Sequence, residues 1–174
     1  VNVLGIDPSL TATGVCLPDG KTYTMKSRLK GDDRLESIYL RLLVDVEDHW
    51  PVDLAVIEDL PVNAKSAGLT GMAQGVIRMA LASAGVPVAR ISPATLKKFA
   101  TGKGNADKTA MLAATPDQYR GSFGDDNQVD AWWLREAGRA WLGDSPFFGP
   151  YQGEAVLDVL RKAKWPDPTE EVAA

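Results

Sequence analysis

Apolar residues come first in short runs and then at helical spacing. Residues 3–7 form a short apolar run closed by an acid, residues 14–17 a second, and residues 21–27 a third that carries Thr22, Tyr23 and Thr24. Asp19-Gly20 between the last two is a tight-turn signal, so the pattern predicts three strands in a hairpin-linked meander. Leu35, Ile38, Leu42, Val46 and Trp50 then recur at helical spacing, with Arg34, Glu36, Arg41 and Asp45 between them. That is an amphipathic helix, stopped by Pro51. Residues 54–57 are wholly apolar, as in a strand buried on both faces of a sheet, and the run ends at Glu58. Residues 66–84 are rich in Ala, Met and Gly and predict a second helix. Its Gly68, Gly71 and Gly75 predict close packing against another backbone, such as a second subunit. A further strand is expected over 86–91, and short helices over 95–100 and 107–114 on either side of Gly102-Lys103-Gly104. A clear helix follows over 126–142, with Val129, Trp133 and Ala137 on one face.

The predicted order is βββαβαβα plus a terminal helix. A three-strand antiparallel meander followed by parallel strands with helical crossovers makes an α/β fold, a mixed sheet flanked by helices. The length of 174 residues suits one domain. It is expected over residues 1–164, with Pro166, Pro168, Glu170 and Glu171 marking 165–174 as a frayed tail.

Composition narrows the chemistry. No apolar run reaches the roughly 18 residues of a membrane span, and no secretory start is recognisable, so a cytoplasmic protein is expected. Cys16 is the lone cysteine and His49 the lone histidine, which excludes an internal disulfide and a His/Cys zinc site. Any metal must be held by oxygen, which favours magnesium or manganese. The net charge of −4 argues against a nucleic-acid binder until its distribution is considered. The stretch from Lys21 to Lys30 carries +4 without an acid. A second, from Arg90 through Lys97, Lys98 and Lys103 to Lys108, carries +4 with Asp107 its only acid, leaving −12 for the remainder. Both can hold phosphates, although solvated faces would show the same charge.

Acids stand at the ends of predicted elements. Asp7 closes the first strand, Glu58 closes the buried strand, and Asp126 and Asp130 open the late helix four residues apart, on one face. In an open sheet, functional residues gather beyond strand ends, so Asp7 and Glu58 can converge there. Carboxylates meeting at one point repel unless cations neutralise them. That is the composition of a two-metal site able to activate water and stabilise the leaving oxygen of a phosphodiester. Taken singly, each acid has a structural reading: Asp126 as a helix N-cap, Glu58 as a strand exit, Asp7 as the start of a turn.

These residues resemble a family. Gly5-Ile6-Asp7-Pro8-Ser9 with Thr13-Gly14 resembles the opening strand and hairpin of RuvC-type Holliday junction resolvases, and Ala55-Val56-Ile57-Glu58 resembles their second acidic strand. Asp107-Lys108, eleven residues after Lys97 across a Gly-x-Gly turn, is similar to their basic DNA-contacting segment. Residues 126–131 resemble their closing acidic helix. The match is collinear up to about Trp141. It implies an RNase H-like fold, a homodimer, magnesium or manganese as two ions per site, and symmetric nicking of four-way DNA junctions. It implies metal binding by Asp7, Glu58 and Asp130, and phosphate contacts by Lys97 and Lys108 near the scissile bond, with Lys98 and Lys103 in the same basic segment. The family often places an acid or histidine three residues before the last aspartate. Here that position is Asn127, with Asp126 one residue earlier, so either completes the site. Charge favours Asp126, because asparagine ligates through an uncharged carbonyl. Leu60, just after Glu58, is a candidate for a residue that wedges into the junction, beside the plainer reading of a packing leucine.

Three other functions compete. An actin-like ATPase would share the Asp7 turn and Thr13-Gly14 hairpin, but such proteins have two lobes and about twice this length. A non-catalytic junction-binding protein needs no carboxylates, yet Asp7, Glu58, Asp126 and Asp130 are all present. A nuclease for forks and flaps, as a phage-encoded debranching enzyme would be, has the same sequence signature. Trp132 and Trp133 are expected in the core rather than against bases, and the two glycines around Lys103 fall far short of a phosphate-binding P-loop.

Overall fold

The computed structural model describes residues 1–60, 67–144 and 154–167. Five strands, β1 (Val3–Asp7), β2 (Thr13–Cys16), β3 (Thr22–Met25), β4 (Leu54–Glu58) and β5 (Val88–Ile91), form one sheet in the order β3-β2-β1-β4-β5. The β1–β2 and β2–β3 pairs are antiparallel and the β1–β4 and β4–β5 pairs parallel. This is the mixed sheet the hydrophobic pattern predicts. The helices are α1 (Gly31–Asp48), α2 (Ala67–Ser83), α3 (Pro93–Thr101), α4 (Lys108–Ala114), α5 (Asp117–Arg120), α6 (Asp126–Trp141) and α7 (Glu154–Leu160).

Alternation along the strands divides the core in two. Leu4 and Ile6 of β1 and Ala55 and Ile57 of β4 pack with Ile38, Leu42 and Val46 of α1 and Ile77 and Leu81 of α2. The opposite parity, Val3, Leu54 and Val56, packs with α3, α4, α6 and α7. By the same parity Asp7 and Glu58 project toward the α6 side at the carboxyl ends of their strands.

On that side α6 lies unusually close to the sheet. A Cβ on Gly5 would stand 2.0 Å from the Ala131 carbonyl oxygen, and one on Gly14 would stand 2.1 Å from the Asn127 carbonyl oxygen. Only glycine permits such backbone-to-backbone packing. The glycines of α2 were expected to play this part, and among the described residues they do not: a Cβ on Gly68 or Gly75 would meet nothing within 4 Å, and one on Gly71 would meet only Leu60 Cδ1 at 3.6 Å.

Trp132 and Trp133 lie in the core, as expected. Trp133 Nε1 donates to the Met111 carbonyl at 3.3 Å, and its ring meets Phe99 edge-on. At the other end of the chain, Arg90 and Lys164 exchange backbone hydrogen bonds of 2.8 Å, and Trp165 stacks on Trp141 at 4.4 Å. The segment expected to fray from Trp165 is therefore packed at its first residue, because an indole needs more burial than a frayed tail offers. Residues 168–174 lie outside the described residues.

Candidate active site

Three elements bring the acids together. Register pairs Ile6 with Ile57, so Asp7 and Glu58 end neighbouring parallel strands side by side. Asp7 is paired with Gly14 on its other flank, where Asn127 of α6 rests against the sheet. One turn further along α6, Asp130 comes over the same strand ends. All three carboxylates are partly buried. Burial pushes the Asp7 carboxyl well up, and Asp130 and Asp125 push it further, against the pull of Lys108. Glu58 is likewise raised by burial, then by Asp7 and Asp130, with Lys97 opposing. Asp130 rises to about 6, again chiefly through burial, opposed by Lys97 and Lys108. Each acid is thus destabilised as an anion partly by its neighbours, the signature of a shared site.

Asp126 holds a different position. Its side chain is 54% exposed and pairs with Lys108 Nζ at 2.8 Å. It acts electrostatically on Asp130. It does not cap the helix. The N-cap is Asp125, whose carboxylate accepts from the Gln128 N–H at 3.3 Å and from Thr24 Oγ1 at 2.7–2.8 Å. Gln128 Oε1 accepts from the Gly124 N–H at 3.0 Å and from Thr22 Oγ1 at 3.0 Å. Sequence reasoning missed Asp125, although Asp125-x-x-Gln128 ahead of Val129 is a capping-box signature. Its tie to Thr24 anchors the start of α6 to the edge strand β3.

The basic residues separate into two groups. Asp107 caps α4, accepting from the Ala110 N–H at 2.8 Å, and so sets Lys108 at the first helical position. Ser92 caps α3 in the same way, with Pro93 at the first turn, and Lys97 follows on that helix. Lys97 and Lys108 are the cations acting on the three raised acids. Lys98 instead borders a depression with Ala155, Asp158 and Val159 of α7. Lys103 sits in the loop beyond Gly102, a left-handed cap (φ 83°) that ends α3, so that glycine serves the helix end. Leu60 is half-buried, with its Cδ1 3.6 Å from where a Cβ on Gly71 of α2 would stand.

The donor set fits a divalent cation in kind: all-oxygen, carboxylate-rich and mutually repelling, which are the conditions a hard cation relieves. Among the described residues no three His, Cys, Asp or Glu side chains already stand close enough together to hold an ion.

Comparison with known proteins places the chain. The sequence model described as crossover junction endodeoxyribonuclease RuvC matches residues 3–114. The match runs from β1 through α4 and stops short of α6. A crossover junction endodeoxyribonuclease RuvC from Rhodopirellula baltica is 35% identical over 129 residues, covering 67% of this chain and 72% of that protein. One from Ruegeria pomeroyi is 35% identical over 127 residues, covering 64% and 74%. Thermus thermophilus RuvC, solved alone, superposes with a TM-score of 0.64 at 23% identity, covering 83% of this chain and 98% of that one. The same protein in complex with a Holliday junction substrate superposes with a TM-score of 0.64. The sheet order and flanking helices are those of the RNase H-like fold, and the chain belongs to the RuvC family of crossover junction endodeoxyribonucleases.

Proposed function

We propose that this protein is a magnesium-dependent endonuclease that resolves four-way DNA junctions, with Asp7, Glu58 and Asp130 as its metal ligands. Enzymes of the family depend on metal, and the donor set here suits magnesium, with manganese able to substitute. The observation that carries the reading is the convergence of three partly buried carboxylates at the ends of β1 and β4 and on the first turns of α6, each raised by burial, with Lys97 and Lys108 acting on them. Two divalent ions, when bound, would supply Lewis acidity toward the phosphodiester and a more acidic water. The chain's own residues hold those ions and orient the phosphate. Lys97 and Lys108 are placed to offset the phosphate charge, and Lys108 must leave Asp126 to do so fully. Asp126 and Asn127 both remain candidates for the fourth position. Lys103 and Lys98 are assigned to more distant DNA contacts, and Leu60 to the junction wedge. The ATPase and the non-catalytic binder lose ground to family membership, whereas forks and flaps remain admissible substrates.

A second copy of the chain fits this function. On α2, Leu69, Met72 and Met79 are 57%, 47% and 56% exposed, beside the open positions at Gly68 and Gly75. A twofold dimer through this face would present two sites to the two symmetric strands of a junction. No helix among the described residues is long and apolar enough to cross a membrane, and a cytoplasmic location completes the proposal.

The test is cleavage of four-way, three-way, flap and linear DNA with magnesium. Four-way DNA should be cut by paired nicks. Asp7→Asn and Glu58→Gln should abolish cutting while junction binding persists, because affinity comes from Lys and Arg contacts to phosphate. Substantial magnesium-dependent cutting by Asp7→Asn would remove the metal assignment. Manganese should support cutting and calcium should not, since its loose coordination misplaces the attacking water.

A further inference from the structure

The register of the sheet places a second cationic surface beside the carboxylates. Asp7 is paired with Gly14, and Gly14 with Thr24, so one rung runs from the acid across to the edge strand. At about 4.8 Å between strands, Thr24 lies roughly 10 Å from Asp7 in the plane of the sheet. The chain then continues past Met25 toward the same end of the sheet as the site. It presents Lys26, Arg28 and Lys30, all exposed, before α1 begins. Two residues of extended chain add roughly 7 Å, which puts Lys26 about 12 Å from Asp7. That is about the width of the DNA major groove.

These cations are available. Lys26 is 69% exposed, its nearest carboxylate being Asp125 at 3.7 Å, and among the described residues Arg28 and Lys30 have no ion pair. The backbone that carries them is held. The Leu29 N–H donates to Ser27 Oγ at 3.2 Å, and Arg34 Nε donates to the Leu29 carbonyl at 2.7 Å. Lys97 and Lys108 come from α3 and α4, which follow the opposite edge strand β5 in the chain, so the acids are approached by basic residues of two separate origins.

We infer that the β3–α1 connection is a second DNA-backbone contact, in which Lys26, Arg28 and Lys30 hold phosphates about one groove width from the scissile phosphate. The inference rests on the proposed nuclease function and adds to it the path of the DNA: across β3 and over the carboxylates to α3 and α4. Asp32 and Asp33, in the first turn of α1, mark where that path ends, since their charge repels a phosphate.

The test measures binding of a four-way junction by fluorescence anisotropy across a salt series without divalent ions, for the natural chain and for the triple variant Lys26→Gln, Arg28→Gln, Lys30→Gln. The expected result is weaker binding, and a plot of log binding constant against log salt that is shallower by about 2 to 3 units. Lys97→Ala and Lys108→Ala serve as a parallel arm. If that pair lowers the slope and the triple variant does not, the second contact is wrong while the nuclease reading stands. If the natural chain shows no salt-dependent affinity for the junction, both fall. Unchanged melting of the triple variant confirms that the measured loss is electrostatic.

Discussion

Replacing Asp126 with asparagine keeps the shape of the side chain and removes only its charge. Because Asp125 is the cap, this change leaves the start of α6 intact, and its ion pair with Lys108 is exposed and contributes little to stability. Two roles are then separable. As a metal ligand, Asp126→Asn should lower cleavage at limiting magnesium by about tenfold or more, with thermal stability nearly unchanged. As a mere partner of Lys108, its loss would free that lysine, tighten DNA binding and spare the rate. The first outcome is expected, since two divalent ions need several anionic ligands. A near-natural rate for Asp126→Asn together with damage by Asn127→Ala would assign the position to Asn127. The raised acids also make a pH prediction. Asp130 ionises at about 6 rather than the ordinary 3.8, and Asp7 and Glu58 are raised as well. Between those limits the folded chain holds protons that the unfolded chain has released, so stability falls as pH rises. Metal-free protein should therefore melt at a lower temperature near about pH 7 than near about pH 4.5. Magnesium, which binds the ionised carboxylates, should restore part of the difference at the higher pH. A melting temperature that climbs over this range without metal would contradict the clustering of the acids.

At the scale of elements, the site depends on how closely α6 lies on β1 and β2. Gly5 and Gly14 meet helix backbone, which cannot move aside as a flexible side chain can. Gly14→Ala should cost on the order of 1–3 kcal/mol of stability. It should also lower cleavage by pushing Asn127 and Asp130 away from Asp7. Chemical denaturation combined with a cleavage assay checks both, and a fully stable, fully active Gly14→Ala protein would refute the close approach. The helix start was only partly legible. The periodicity of Val129, Trp133 and Ala137 marked the helix, but three polar residues in a row, Asp125, Asp126 and Asn127, left its first turn ambiguous. The ambiguity is resolved by Thr24, about a hundred residues away, which donates to Asp125 and to no other member of that run. The short helix α5 left no periodic signal, because four residues make barely one turn.

At the scale of the whole molecule, the exposed face of α2 predicts assembly. Analytical ultracentrifugation at micromolar concentration should show a dimer, and Met72→Glu with Met79→Glu should shift it to monomer with loss of paired nicking. A monomer that still makes paired nicks would place the second site elsewhere. The division between what the sequence determined and what the fold decided follows from the range of the interactions. Strand and helix periods, the apolar run ending at Glu58 and the acid after Gly5-Ile6 are local patterns. They suffice to reveal the mixed sheet and to nominate Asp7, Glu58 and Asp130. Which acid caps and which stays free, which glycines touch a helix, and which lysines reach the carboxylates depend on contacts between residues far apart in the chain. Gly5 and Gly14 accept α6, whereas among the described residues no backbone approaches the α2 glycines. Lys97 and Lys108 act on the acids, whereas Lys98 turns toward α7. A local pattern specifies the period and composition of an element but not its neighbours, and it is the neighbours that determine the charge and reach of each side chain.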